Sequence, residues 1–129
     1  MKTALVLFAH GARDPEWSAP FRRIKQNVAA RCPGTTVALA YLEAMPPSLK
    51  EILERLAADG HGRIVIAPLF MAQGGHLKHD LPRLLEELRR VHPALVFDVL
   101  PPVGEVDRVV NAMSDWLASV VKAEFPRGS

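Results

Sequence analysis

The sequence predicts an α/β fold with a four-stranded parallel sheet, in the order 2-1-3-4, covered by helices on both faces. Three observations carry that expectation. Apolar runs and helically spaced apolar residues alternate four times along the chain. The runs are near-continuous rather than alternating, which marks strands buried on both sides. Cap and turn residues stand at the junctions, and no long linker or low-complexity segment interrupts the order.

Thr3 to Ala9 is the first such run and reads as the first strand. Trp17, Phe21, Ile24 and Val28 follow at helical spacing, with Pro20 in the first turn, where proline is tolerated, and Pro33-Gly34 ending the helix. Val37 to Leu42 is the second strand. Ser48-Leu49-Lys50-Glu51 fits a capping box, so a helix opens there with Leu49, Ile52, Leu53 and Leu56 inward. Gly60 is expected just past its end, in the left-handed conformation. Ile64 to Leu69 is the third strand. Asp80 is expected to cap the third helix, with Pro82 in its first turn and Leu84, Leu85, Leu88 and Val91 inward. Leu95 to Val99 is the fourth strand, and Val106, Val109, Val110, Met113, Leu117, Val120 and Val121 define the last helix. The expected architecture is a flavodoxin-like three-layer sandwich, one domain over residues 1–125, with residues 126–129 a disordered tail.

Composition narrows the function classes. Of 129 residues, 49% are hydrophobic and 23% charged, which are globular proportions. No apolar run approaches the roughly 20 residues that span a bilayer. The apolar N-terminus leads into His10-Gly11 rather than a small-residue cleavage site, so it reads as a strand and the expected location is the cytoplasm. A single cysteine, Cys32, excludes an internal disulfide and gives no Cys pair for zinc or iron–sulfur ligation. It is expected to be half-buried. The net charge of +2, with no basic block, argues against nucleic acid and is compatible with a polyanionic small molecule. No Walker sequence, no Gly-x-Gly-x-x-Gly after the first strand and no Gly-x-Ser-x-Gly elbow is present, so nucleotide binding and serine hydrolysis are unsupported.

Open parallel sheets bind ligands beyond the carboxyl ends of their strands. His10-Gly11 directly follows the first strand, and Phe70-Met71-Ala72-Gln73-Gly74-Gly75-His76 follows the third. In a 2-1-3-4 sheet these strands are neighbours, so both histidines open on one edge and can share a metal ion or a substrate. A lone histidine at a strand end is ordinarily a satisfied polar residue; two on adjacent ends favour function. Gly11, Gly74 and Gly75 are expected to let the chain turn sharply and a flat ligand approach closely, although Gly74-Gly75 also fits a plain turn. His79 is either solvated ahead of the Asp80 cap or, if the helix starts earlier, on one face with His76 as a metal pair. His61 and His92, beside Gly and Pro, read as surface residues. Glu43 reaches the same edge in a substrate-facing or a loop role. Arg13, Lys78 and Arg83 lie near the histidine loops, as carboxylate contacts or as solvated charge.

Leu5-Val6-Leu7-Phe8-Ala9-His10-Gly11-Ala12-Arg13-Asp14-Pro15, Pro68 to His76 and Asp80-Leu81-Pro82 together resemble the short form of the CbiX sirohydrochlorin chelatases, from Lys2 to about Leu117. The resemblance implies chelatase-like chemistry in which a divalent metal enters a tetrapyrrole without ATP. It implies His10 as metal ligand and proton acceptor, His76 as second metal ligand, and Met71, Ala72, Gln73, Gly74, Gly75 and His76 as the substrate loop. It further implies a homodimer whose cleft is completed between two subunits. The metal is a substrate, Co²⁺ ahead of Fe²⁺ or Ni²⁺, and the partner is a sirohydrochlorin-like tetrapyrrole bound for cobalamin or sirohaem. Two departures stand out. Ala12 replaces the usual serine of His-Gly-Ser-Arg. Pro46 stands before Pro47 where the family often has glutamate, which leaves Glu43 as the nearest carboxylate for a substrate contact.

Metal insertion must remove two pyrrole protons and strip the metal's water. A neutral imidazole binds borderline metals and can take a proton at cellular pH. One nitrogen cannot do both at once, so His76 is expected to hold the incoming metal while His10 alternates between ligand and base. Two rivals remain at this stage. A strand ending in His-Gly is similar to the histidine phosphatases, but Ala9 stands at their arginine position. A metal- or tetrapyrrole-binding carrier would use the same histidines without turnover.

Overall fold

The computed structural model describes residues 1–123. Strands β1 (Thr3–Ala9), β2 (Thr36–Tyr41), β3 (Arg63–Pro68) and β4 (Val96–Val99) pair in parallel in the order β2-β1-β3-β4, as expected. Phe8 of β1 lies opposite Ala40 of β2 and Pro68 of β3. The helices are α1 (Ala19–Arg31), α2 (Leu49–Ala58), α3 (Gly75–Val91) and α4 (Asp107–Lys122), with short 3-10 turns at Pro15–Ser18 and Val103–Glu105. The tail expected at residues 126–129 lies outside the described residues.

The alternate residues of each strand build two unequal layers. Ala4, Val6, Phe8, Ile64, Ile66 and Phe97 face α2 and α3 and join Leu53, Leu56, Leu81, Leu85 and Leu88 in the main core. The opposite face holds Leu7, Val37 and Ala67, with Leu5, Leu39, Leu69 and Val28 of α1 half-buried against them. The second layer is thin, and α1 buries no residue completely.

Local signals act where the spacing put them. Ser48 has extended backbone (φ −73°, ψ 164°), and its Oγ accepts from the Glu51 amide at 3.2 Å while donating to Glu51 Oε1 at 3.2 Å. Such a cap is worth about 1 kcal/mol. Gly60, at φ +86°, follows α2 in the left-handed conformation expected of it.

Six expectations change. Trp17 belongs to the first 3-10 turn rather than to α1, its ring 4.8 Å from that of Phe21. Helix α3 starts at Gly75, not after Asp80, because Gly74 supplies an extended cap residue with no side-chain bond. Asp80 and Pro82 therefore lie inside the helix. Pro82 has no N–H for the Lys78 carbonyl, and the burial of Leu81, Leu85 and Leu88 offsets that loss. His61 is buried, not on the surface. Its Nδ1 donates to the Leu56 carbonyl at 2.9 Å, which fixes the tautomer, and Nε2 accepts from the Thr36 hydroxyl at 2.9 Å. Cys32, at the end of α1, and Val91, at the end of α3, are exposed. Finally, α4 buries nothing: Val110, Met113, Trp116, Leu117 and Val121 are all exposed, and no α4 residue joins either core cluster.

Candidate functional site

The carboxyl edge of the sheet gathers the chain's polar loops. β1 is the central partner of β2 and β3, so its exit residue His10 stands between their exits. Three backbone bonds set that exit. Leu42 N–H donates to the Ala9 carbonyl at 2.9 Å, Glu43 N–H to the His10 carbonyl at 3.0 Å, and Leu69 N–H to the Phe8 carbonyl at 2.7 Å. Both neighbouring loops are thus laced to β1 at the point where the chain turns.

The turn itself requires glycine. Gly11 has φ +89°, and a Cβ there would lie 1.9 Å from the Glu43 carbonyl oxygen. The close crossing of the two backbones holds His10 in place. Glu43 acts here through its backbone, while its side chain is exposed.

The imidazole of His10 is exposed but backed by an aromatic platform. Its ring lies 4.3 Å from that of Phe70, and Phe70 in turn meets Phe8 edge-on at 5.3 Å. Phe70 is 2% exposed. It is the second residue of the loop between β3 and α3, the helix that carries His76, so the first and third strand exits are joined through a tilted ring contact. The position of Phe70 directly after an apolar strand gave it no functional signal in the sequence.

Beyond Phe70 the loop opens to solvent. Met71, Ala72, Gly74, Gly75 and His76 are exposed and Gln73 is half-buried. His76 sits in the first turn of α3 and His79 one turn on, the early-start arrangement; Lys78 and Arg83 are exposed on the same helix, and Arg13 is exposed near His10. The structure brings His10 into contact with Phe70, and sets His76 on the same edge at the start of the adjoining helix. Gly74 has ordinary extended backbone (φ −72°, ψ 159°), and a Cβ at Gly74 or Gly75 would meet nothing within 4 Å. The protein's own packing does not require this glycine pair.

A different glycine does the work of close approach. At Gly104, in the second 3-10 turn, a Cβ would lie 1.7 Å from the Met71 carbonyl oxygen, and Gly104 N–H donates to the Phe70 carbonyl at 3.2 Å. The root of α4 is thereby pinned to the His76 loop. No sequence signal distinguished Gly104 from an ordinary turn residue.

A cavity of about 140 Å³ lies at the same edge, lined by Phe8, Tyr41, Leu42, Leu77, Asp80 and Leu84 among others. Asp80 therefore borders a hollow rather than capping a helix. A larger depression of about 390 Å³ at the amino ends of the strands is lined by His61 and His92. Both ring nitrogens of His61 are already engaged there, so the carboxyl edge is the stronger site despite its smaller hollow. Among the described residues, no three His, Cys, Asp or Glu side chains converge into a metal-holding group. No helix among them is long and apolar enough to cross a membrane.

Known proteins share this frame. The sirohydrochlorin cobaltochelatase of Sulfurisphaera tokodaii is 26% identical over 125 residues, spanning 92% of this chain and 94% of that one. That of Saccharolobus islandicus is 36% identical over 81 residues, 63% of this chain and 62% of its own. Among solved structures, the CbiX protein of Marinobacter aquaeolei VT8 superposes with a TM-score of 0.76 at 28% identity, covering 93% of this chain and 98% of that one. SirB of Bacillus subtilis subspecies spizizenii, solved in complex with cobalt, shares the fold with a TM-score of 0.75 at 22% identity, and this chain covers 51% of its length. The CbiX family model matches residues 4–120, from the first strand into the last helix, and the chain belongs to the CbiX family.

Proposed function

We propose that this chain is a tetrapyrrole metal chelatase that inserts a divalent metal, Co²⁺ ahead of Fe²⁺ or Ni²⁺, into sirohydrochlorin without a nucleotide, in the cytoplasm. The observation that carries the reading is the tilted ring contact of His10 with Phe70 at 4.3 Å, which ties the exit of β1 to the loop that leads to His76. Membership of the CbiX family and the chelatase relatives support it.

The chemistry follows from the residues. His76, exposed at the start of α3, holds the incoming metal through a neutral imidazole nitrogen. His10 accepts the pyrrole protons one at a time and returns each to solvent, so M²⁺ and a tetrapyrrole carrying two N–H groups become the metallated ring and two protons. Its exposure allows that return, and Phe70 beneath it limits the ring's rotation. The loop from Met71 through Ala72, Gln73, Gly74 and Gly75 to His76 includes three exposed small residues, Ala72, Gly74 and Gly75, against which a flat macrocycle can lie. Glu43, with Arg13 and Lys78, borders the same surface. The open half-cleft of one chain is completed by a second copy.

Insertion kinetics with sirohydrochlorin and each of the three metals, followed by absorbance, test the reading. Cobalt insertion is expected in the native chain, and His10→Ala is expected to lower it by about 10²–10⁴-fold, the usual yield of a positioned acid–base group. Full activity in His10→Ala with an unchanged circular dichroism spectrum would refute the assignment.

A further inference from the structure

Helix α3 has two flanks along the sheet. One borders the small hollow beside Phe8 and Tyr41, and the other faces β4, the edge strand. Between that second flank and β4 lies a groove of about 340 Å³, lined by Gln73, Lys78, Pro82, Leu85, Arg89 and Val99 among others. Lys78 and Arg89 are about three turns apart on α3, so they stand on one side of the helix and border the groove from its two ends. Val99 ends β4, and Gln73 belongs to the loop before α3. The mouth of the groove therefore opens on the same edge as His10 and His76.

The charge in this groove is of one sign. Among the described residues, no aspartate or glutamate lines it. The acids nearby are engaged elsewhere: Glu86 pairs with Arg90 at 3.9 Å, and Asp98 pairs with Arg63 at 2.7 Å on the opposite face of the sheet from Phe97. Neither Lys78 nor Arg89 has a carboxylate partner among the described residues. The Arg89 guanidinium lies instead over the ring of Phe97, 5.3 Å from its centroid. That contact uses the π face of the ring and leaves donors of the guanidinium fork for an anion. Phe97 comes two residues before Val99, so this charge sits about 7 Å inside the edge. Leu85 and Pro82 supply an apolar wall between the two cations, which keeps water from one side and strengthens their field.

We propose that the groove between α3 and β4 seats one acidic arm from the rim of the tetrapyrrole, with Lys78 meeting the arm at the mouth and Arg89 holding its carboxylate inside. The inference rests on the chelatase reading and adds how the macrocycle is turned in the site. A flat ring lying on Gly74 and Gly75 can rotate in its own plane unless something at its rim is fixed. The arms of sirohydrochlorin end in carboxylates, which are the natural acceptors for a guanidinium fork. The depth of the Arg89 charge is comparable to the length of such an arm and the hydrogen bond at its tip. A free anion would answer the same charge, but Gln73 lies in the groove and in the loop beneath the ring at once, which favours an arm of the bound macrocycle. An esterified arm carries no charge and would leave both cations unpaired, so the groove selects for the free acid.

Binding of sirohydrochlorin without metal, followed by absorbance at low ionic strength where exposed charges are least screened, tests the groove. Lys78→Gln and Arg89→Gln are each expected to raise the Kd about fivefold. In the insertion assay the KM for sirohydrochlorin should rise in parallel, with kcat and the KM for metal unchanged. The methyl ester of the macrocycle is expected to bind the native chain and Arg89→Gln alike, whereas a variant that had merely lost its packing over Phe97 would bind acid and ester equally poorly. Arg90→Gln removes the same charge from the same helix outside the groove and should leave the Kd unchanged. A rise in Arg90→Gln equal to that in Arg89→Gln would show only the general field and overturn the proposal. So would an equal Kd in the native chain, Lys78→Gln and Arg89→Gln; if inorganic phosphate then binds the native chain and not Arg89→Gln, the groove is a separate anion site. These outcomes leave the chelatase reading standing. A chain that binds sirohydrochlorin through the groove and inserts none of the three metals would support the groove and overturn the chelatase reading, and a native chain that does not bind sirohydrochlorin would overturn both.

Discussion

Gly75→Ala separates what the fold needs from what a ligand needs. A Cβ at position 75 meets no protein atom within 4 Å, and residue 75 is the first of α3. Removing a glycine's freedom in the unfolded chain at such a site stabilises by about 0.4–1 kcal/mol. The folded protein should therefore be as stable as the native chain or slightly more so, with a higher urea midpoint and the same slope. If a macrocycle lies against this backbone, the added methyl is an intrusion into a packed contact, worth about 1–3 kcal/mol. That corresponds to a rise of about 5- to 160-fold in KM for sirohydrochlorin, with the KM for metal little changed. Gly11→Ala is the opposite case, since its Cβ would overlap the Glu43 carbonyl at 1.9 Å in a left-handed backbone. Backbone strain of about 1–2 kcal/mol adds to the loss of the hydrogen bond between Glu43 and His10, about 0.5–1.5 kcal/mol. Gly11→Ala should lose stability and activity together, whereas Gly75→Ala should lose substrate affinity alone. An unchanged KM in Gly75→Ala would refute the idea that this glycine is kept for a ligand.

Phe70→Leu keeps an apolar side chain but removes the ring beneath His10. Each aromatic pair lost costs about 0.5–1.5 kcal/mol, so the melting temperature should fall by several degrees while metal insertion falls further than stability explains; a change in melting temperature alone would show that the stack does not orient the imidazole. Ser48→Ala should cost about 1 kcal/mol in chemical denaturation and leave insertion kinetics unchanged. His61→Phe removes the side-chain donor to the Leu56 carbonyl, which keeps its bond from the residue 61 N–H at 3.1 Å, and the partner of the Thr36 hydroxyl; two lost hydrogen bonds at about 0.5–1.5 kcal/mol each should lower the urea midpoint at a site far from the chemistry.

The order and direction of the strands were legible because a strand buried on both faces leaves an uninterrupted apolar run, and right-handed crossovers limit the ways such runs can be joined. The placement of His10 and His76 on one edge followed from that order. The start of α3 was not legible, because Gly74 caps the helix with its backbone and Asp80 offered a louder signal several residues late. His61 looked like a turn residue beside Gly62, since nothing local tells that Thr36 from the start of β2 arrives next to it. The stripe on α4 was plain from its spacing, but periodicity reports that a face is apolar and not which surface covers it. Gly104 and Phe70 owe their roles to chain segments far away in sequence, so their local context carried no mark.

The proline within α3 divides the helix that bears His76. With no N–H at Pro82, the Lys78 carbonyl drops out of the ladder. Toward the C-terminus, Leu85 and Leu88 lock the helix onto the sheet, whereas the stretch before Pro82 is anchored mainly through Leu77 and Leu81. Local opening is cheapest where buried contacts and backbone bonds are fewest. The imidazole proposed to carry metal thus rides on the segment of α3 that can come undone without unfolding the rest, and hydrogen exchange should reach its amides well before those of the second half of the helix.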